Sequence, residues 1–444
     1  MAFKAMAYEL YREMRDKVKT GLMSVNQRIS LRPDNPRLTT LLWAIEYNDN
    51  EFIEYLLNHK DIKVNLHTEG YGTALHYAID LVNDDVVCKL VNAGANVNLK
   101  SRCRFDDIYP LDMAVERNQY RIAQFLINHG ATVNNSSSFI SRLLSIPVRH
   151  DNENLVKLLI ENCPDVNERS EYYESLLINA IRCQSNKVFR YLLERDIDPN
   201  SSDNVAKITL LHIAADNKNA EAVELLLNHD DIDVNRLTAN RNSVIDYAFL
   251  KDNFVICKSL LRAGIDFNKV KDHYFDDTRN NYLVISLIRQ HIVKMNAAKM
   301  YNMTEKLNNV LNTNEYANDF SKKCYDEVKF LKICKVSNSS MSFYTILQGS
   351  VHRIANFLIY ADIDDNDIIF DDQLLIQQFP LYGEMISFKL HKSRRRKNLL
   401  KNLYYCIFDI FKNKLPDLVV DNIMRYFSNR ELRHLNEKYE HSTK

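Results

Sequence analysis

The sequence predicts an all-α chain, most of it built from stacked helix pairs, and three observations carry that prediction. A short Asp/Asn-rich phrase recurs with a period near 33 residues between about Leu38 and Asn268. Glycine and proline number only 8 each in 444 residues, which disfavours turn-rich β architectures. Hydrophobic residues make up 46% of the chain, enough for a sizeable core, so global disorder is excluded.

The chain begins Met1-Ala2-Phe3-Lys4, with Glu9, Arg12, Glu13, Arg15, Asp16 and Lys17 where a secretory leader would be apolar. Residues 1–37 are expected to form an N-terminal helical cap. No stretch approaches 18 consecutive apolar residues, so no membrane span is expected. Lys plus Arg (58) balance Asp plus Glu (58), leaving no basic excess for nonspecific nucleic-acid binding. Eight scattered cysteines without a CxxC pair read as reduced thiols of a cytosolic or nuclear protein.

The repeat unit is legible in both halves. Its endings are Lys63-Val64-Asn65, Asn96-Val97-Asn98, Thr132-Val133-Asn134, Asp165-Val166-Asn167, Asp198-Pro199-Asn200, Asp233-Val234-Asn235 and Asp266-Phe267-Asn268, the last residues spaced by 33, 36, 33, 33, 35 and 33. Its starts are clearest in Thr73-Ala74-Leu75-His76 and Thr209-Leu210-Leu211-His212, with Thr39-Thr40-Leu41-Leu42 a weaker copy. Between them run apolar second helices such as Val223-Glu224-Leu225-Leu226-Leu227, which must be covered by their own partner and by the next unit. Gly94, Gly130 and Gly264 follow such helices directly, where a left-handed C-terminal residue is expected. The fourth copy carries Ser136-Ser137-Ser138 and Pro147 where a first helix belongs, so a distorted repeat is expected there.

The period, the Thr-x-Leu-His starts and the glycines resemble the ankyrin repeat, and the resemblance covers residues 38–268 with about seven units. Thr73, His76, Thr209 and His212 are then expected to make hydrogen bonds that fix helix starts rather than to catalyse or bind metal. Beyond Asn268, residues 269–397 read as a helical linker region, within which Asn281 to Lys335 is expected to hold two or three helices with a long loop at the polar stretch from Asn308 to Asp319. Phe343 to Asn366 within it resembles a shortened repeat.

The C-terminal part, 398–444, begins with an apolar helical stretch to Lys412. Then follow Leu415, Pro416, Asp417 and Leu418, a stripe of Val419, Ile423 and Phe427 at four-residue spacing with Val420 and Met424 beside it, and a second short helix presenting Leu432 and Leu435. Pro416 suits a first helical turn, and Asn429 is expected to end that helix. The pattern resembles a truncated F-box. Its place after ankyrin repeats resembles the poxvirus ankyrin proteins with a C-terminal PRANC domain, so the fold expected is an ankyrin-repeat solenoid followed by a helical PRANC/F-box-like domain.

That resemblance implies a protein-interaction adaptor in the host cytoplasm. Its partners would be the adaptor subunit and cullin of a host SCF ubiquitin ligase, and a host protein of antiviral or inflammatory signalling. The ligase contacts would be Leu415, Pro416, Leu418, Val419, Ile423, Met424, Phe427, Leu432 and Leu435, unless this stripe packs on the chain's own preceding helix. Target contacts are expected at the tips between repeats, at Tyr71, Arg102, Arg104, Phe105, Tyr109, Tyr172, Tyr173, Arg236 and Arg241, because aromatic and Arg side chains most often dominate binding energy. The alternative is a scaffold that sequesters its target without the ligase.

Lys392-Ser393-Arg394-Arg395-Arg396-Lys397 is the one marked charge run. It is expected to be a solvated helix face, with nuclear import as the second reading. Neither GxGxxG nor GxxxxGKS/T occurs and no HExxH is present, so no nucleotide, cofactor or metal is expected, and the chain reads as a non-enzyme.

Overall fold

A computed structural model describes residues 2–30, 37–103, 106–133, 137–163, 170–195, 198–202, 205–271, 282–300, 304–312, 317–336, 339–360, 371–410, 424–425 and 427–442. It is mostly helical and divides into two compact units, Met1–Leu192 and Leu193–Lys444.

In the first unit, helix α1 (Ala2–Lys19) buries Ala7, Tyr11, Met14 and Val18, one face at helical spacing. A two-residue hairpin, β1 (Arg28–Ile29) with β2 (Leu38–Thr39), leads into the helix pairs α2 (Thr40–Glu46) with α3 (Asn50–Leu57), and α4 (Ala74–Asp80) with α5 (Asp84–Asn92). The antiparallel hairpin β3 (Ser101–Cys103) and β4 (Asp106–Ile108) precedes α6 (Pro110–Glu116) and α7 (Tyr120–Asn128). Then follow α8 (Ser137–Arg149), α9 (Glu153–Glu161), α10 (Ser170–Cys183) and α11 (Asn186–Leu193).

The second unit opens with two further pairs, α12 (Leu210–Asp216) with α13 (Ala220–Asn228) and α14 (Val244–Leu250) with α15 (Phe254–Ala263). The remaining helices are α16 (Tyr282–Ala297), α17 (Glu305–Asn312), α18 (Ala317–Ile333), α19 (Phe343–Gln348), α20 (Val351–Tyr360), α21 (Asp372–Gln378), α22 (Gly383–Ile410) and α23 (Asn429–Ser442). A core made by Met295, Leu331, Ile346, Leu358, Phe379, Tyr382 and Ile386 joins α16, α18, α19, α20, α21 and α22. Helix α22 passes unbroken through residues 397 and 398, where the sequence reading places a domain boundary.

Each turn between paired helices is built alike. Asn48, Val82, Asn118, Asp151, Gln184, Lys218 and Asp252 take positive φ between 50° and 57°. The next residue's N–H then reaches back to the carbonyl of Ala44, Ala78, Ala114, Pro147, Ala180, Ala214 or Ala248, closing each first helix with a six-residue loop. Residues such as Asp49, Asn83, Asn152, Asn219 and Asn253 then cap the second helix by accepting the backbone N–H three positions on. Pro147 thus occupies the position that is Ala in the other repeats. Among the described residues of the fourth copy, α8 differs in running 13 residues with Pro147 inside it, and the carbonyl of Pro147 still accepts from Asn152 at 2.9 Å. Gly94, Gly130 and Gly264 end their helices at φ of 88°, 87° and 92°, as the sequence requires.

Candidate functional site

The recurrent Asp-x-Asn phrase proves to be a hydrogen-bond device. In its first position, the side chain of Asn96, Asp198, Asp233 or Asp266 accepts the backbone N–H of the phrase's final Asn at 2.9, 2.9, 2.9 and 3.0 Å, a local Asx turn. The final Asn then spans to the next repeat. Asn65 donates to the carbonyl of Gly94 (3.2 Å) and accepts from the N–H of Asn96 (2.8 Å); Asn98 does the same with Gly130 (2.7 Å) and Thr132 (2.9 Å). In the second unit, Asn200 bridges Asp231 and Asp233 at 2.7 Å each, and Asn235 bridges Gly264 (3.4 Å) and Asp266 (2.8 Å). Each side chain satisfies one donor and one acceptor of its neighbour, so the spacing between the repeats it joins is fixed by hydrogen bonds as well as by packing. Asn134 and Asn167 lie outside the described residues. A rung that sequence reasoning missed stands ahead of the others: Asn26 donates to Asp61 O (2.7 Å) and accepts from Lys63 N–H (2.9 Å).

The Thr/His pairs behave as expected. His76 Nδ1 lies 2.8 Å from Thr73 Oγ1 within a capping box, while its Nε2 lies 3.1 Å from Ile108 O on the next repeat's hairpin. His212 Nδ1 lies 2.8 Å from Thr209 Oγ1. Burial pushes both imidazoles down to about 4, so they are neutral near pH 7. The third box, Ser243 with Asp246, escaped the sequence reading because it lacks the His.

The expected target residues do not share one setting. Tyr71 sits half-buried on the tight Thr68–Gly72 hairpin with its ring edge-to-face against Tyr77 at 5.3 Å, and Tyr109 stands at the start of α6 with Lys100 Nζ 5.9 Å from its ring centre. Arg236 and Arg241 are exposed on the finger of the following unit. Arg236 is also a brace, donating to Asn200 O at 3.1 Å, and Arg241 takes φ +58° at the tip of the Thr238–Asn242 turn. Arg102 lies on β3, paired across from Asp107. The expectation that Tyr172 and Tyr173 occupy a tip is corrected: both are in the first turn of helix α10, because the helix starts at Ser170. Arg104 and Phe105 lie outside the described residues.

Of the expected ligase contacts, Leu415, Pro416, Leu418, Val419 and Ile423 also lie outside the described residues. Met424 and Leu432 are 1% and 0% exposed, buried in the chain itself where α23 packs on α22. Phe427 is half-buried, and Leu435, at 36%, faces outward. Asn429 does not end a helix but begins one. Ser428 and Glu431 form a capping box here, with Ser428 N–H and Oγ donating to Glu431 Oε2 at 2.7 and 2.9 Å and Ser428 Oγ accepting Glu431 N–H at 3.2 Å. Backbone and side-chain donors of Ser428 hold the Glu431 carboxyl below its ordinary range.

The basic run requires the largest correction. It is not a solvated face. Lys392, Ser393, Arg396 and Lys397 are buried on α22. Lys392 donates to His229 O (3.1 Å) and Arg395 to Asn228 O (2.6 Å), covering the carbonyl end of α13. Burial pushes the Lys392 ammonium down to about 8. Arg396 donates to His352 Nδ1 (3.1 Å), Asn429 Oδ1 (2.5 Å), Met424 O (3.2 Å) and Phe427 O (2.9 Å). Its neighbour Lys389 likewise donates to Leu347 O (2.5 Å) and Gly349 O (3.1 Å) at the end of α19.

Among the described residues no group of three or more His, Cys, Asp or Glu could hold a metal ion, and no helix is long and apolar enough to cross a membrane. The described residues form paired helices with hairpin fingers between them. The family model described as ankyrin repeats matches residues 15–101, 111–203 and 200–271, more than half of the chain, and the chain belongs to that family. It is similar to two ankyrin repeat proteins of fowlpox virus (strain NVSL). With FPV031 it shares 26% identity over 381 residues, 79% of this chain and 87% of that relative. With FPV233 it shares 26% identity over 140 residues, spanning 30% of this chain and 26% of that protein. The crystal structure of the human ASB11 ankyrin repeat domain matches at 21% identity and TM-score 0.39, covering 51% of this chain and 98% of that one. The chain thus resembles the poxvirus type of ankyrin-repeat protein.

Proposed function

We propose that the chain is an adaptor that joins a host protein to a host SCF ubiquitin ligase in the host cytoplasm. The fingers that carry Tyr71, Arg102, Tyr109, Arg236 and Arg241, together with Arg104, Phe105, Tyr172 and Tyr173, hold a protein of antiviral or inflammatory signalling. The segment from residue 398 onward, with its F-box-like Leu415-Pro416 start, engages the ligase's adaptor subunit and through it the cullin. The observation that carries this reading is that a Leu-Pro-started apolar segment leads into α23, a helix that is fastened to the repeat side of the molecule and leaves Leu435 facing outward.

The test is copurification from host cells. Removing residues 415–444 is expected to abolish capture of the ligase adaptor while the repeats stay folded, and Ile423→Asp with Phe427→Asp is expected to do the same at unchanged helicity. Capture that persists in both variants, or is absent from the intact chain, removes the ligase from the proposal. The burial of Met424 and Leu432 favours a second reading, in which the terminal helices close the molecule and the repeats act by sequestration alone.

A further inference from the structure

The corner Asn228–Asp231, between α13 and the start of the next repeat, holds the chain's own C-terminal helix. The Asp231 carboxylate accepts the N–H groups of Asn429 (2.6 Å) and Arg430 (2.9 Å), the first two residues of α23, from 198 and 199 positions away. With Ser428 Oγ on the third N–H, the positive end of the helix is satisfied by a carboxylate and a hydroxyl. Arg433, one turn further on, places Nη2 3.6 Å from Asp231 and Nη1 3.9 Å from Asp230. From the other side Arg395 reaches Asp230 at 3.4 Å, and Arg396 holds the carbonyls of Met424 and Phe427.

The balance of this joint is unlike that of a repeat. Nine-residue α13 buries Ala222, Val223, Leu226 and Leu227, whereas the eight described side chains of α23, those of 429–436, bury one apolar group, Leu432. Residues 429–436, whose side chains are described, attach the helix chiefly by charge-assisted hydrogen bonds, which water can replace, so this contact can open without disturbing the apolar core of the repeats. Asp231 has a second, independent duty: its backbone oxygen accepts from Asn200 in the inter-repeat ladder. Side chain and backbone of one residue therefore serve the joint and the ladder separately.

We propose that Asp231 and Arg396 form a latch. Helix α23 leaves and rejoins the Asn228–Asp231 corner as a unit while the repeats stay folded, and its release bares Met424, Leu432 and the otherwise covered basic residues of α22. A partner that brings an Arg or Lys to Asp231 competes directly with Arg433 and opens it.

Amide hydrogen exchange by mass spectrometry on the full chain tests the latch. In Asp231→Ala, amides of 429–442 are expected to exchange at least about tenfold faster, with α13 and α15 unchanged as internal controls. Arg396→Met, which removes the opposite jaw, is expected to give the same pattern. Unchanged protection of 429–442 in both variants overturns the latch, and so does protection lost from α13 and α15 together with α23, which would make the joint part of one cooperative core. The exchange measurement needs no partner. If the partner is the ligase adaptor proposed above, Asp231→Ala also increases its capture; failure of both proteins to capture it counts against that function, while the exchange result alone decides the latch.

Discussion

The repeats and the C-terminal helices solve the same problem, satisfying polar groups at helix ends, with different reach. In the repeats, the partners lie one unit apart: Asn65 and Gly94 are separated by 29 residues, Asn98 and Thr132 by 34, Asn200 and Asp233 by 33. In the C-terminal region Lys392 reaches back 163 residues to His229, Arg395 reaches 167 to Asn228, and Asn429 reaches 198 to Asp231. The first kind of contact writes its own period into the sequence. The second occurs once and leaves no periodic mark, so a run of Lys and Arg that seals two helix ends looks the same as a solvated one.

The largest expected difference between the regions is in how a buried leucine fails. Leu226 and Leu432 are both 0% exposed. Leu226→Ala is expected to cost about 2–5 kcal/mol of unfolding free energy, read from the urea midpoint, because neighbouring repeats cannot collapse onto the cavity. Leu432→Ala is expected to leave that midpoint close to wild type and to raise hydrogen exchange only in α23. Equal effects on the global midpoint would erase the distinction.

Acid should probe the repeats next. His76 and His212 have folded pKa values near 4 against an ordinary value of 6.5, so the unfolded chain takes up their protons first as pH falls. Their contribution is fully present above pH 6.5 and is lost as pH drops toward 4, by about 2–3 kcal/mol each at pH 4.5. His76→Gln with His212→Gln retains a side chain able to complete a capping box and removes the titration. The double variant should therefore lose less stability between pH 7 and pH 4.5 than the wild type, measured by urea unfolding at both values. An identical loss would show that the histidines do not carry it.

Much of the repeat architecture was legible because its physics is local and iterated. The 33-residue spacing located the Asn rungs, and Thr73-Ala74-Leu75-His76 located a helix start. What stayed hidden was each rung's partner, since a spacing does not say that an amide spans to Gly94 or Asp231. Asn26 was passed over because it lies 39 residues before Asn65, outside the period, although Ser24-Val25-Asn26 carries the same Val-Asn ending. Of the candidate contact residues, Tyr71, Arg236 and Arg241 stand on fingers as the same reasoning expects, but Tyr172 and Tyr173, expected on a tip, do not, because nothing in Ser170-Glu171-Tyr172-Tyr173 distinguishes an exposed tip from a first helical turn. Ser428-Asn429-Arg430-Glu431 is a capping-box sequence and could have revealed that Asn429 begins a helix.

The rungs themselves can be ranked. Asn200 is buried and makes both of its bridging bonds at 2.7 Å, whereas Asn98 is exposed. Removing the side chain leaves a donor and an acceptor of the next repeat unpaired, which is costly only where water cannot replace it. Asn200→Ala is expected to cost about 1–3 kcal/mol and Asn98→Ala about 0.5–1 kcal/mol in chemical unfolding. The reverse order would mean that the ladder follows the packing rather than helping to set it.

The smallest effect has the opposite sign. Val82 takes φ +56° in the turn before α5, where the sister positions hold Asn48, Asn118, Asp151, Gln184, Lys218 and Asp252. A β-branched side chain in the left-handed region is crowded against its own backbone, and Val82 is 59% exposed, so little burial offsets the crowding. Asn tolerates that conformation, and at two sister sites it does more: Asn48 Oδ1 accepts from Asn83 at 3.1 Å and Asn118 Oδ1 from Asn152 at 2.8 Å. Val82→Asn is therefore expected to stabilise the chain by about 1 kcal/mol, and Val82→Gly separates the two contributions because it relieves the crowding without supplying an acceptor. If the gain comes only from the backbone, the two variants raise the urea midpoint alike apart from glycine's entropy. A gain with Asn alone would mean that the turn position is another rung between repeats, whereas a loss with both would show that Val82 is held there by contacts stronger than its strain.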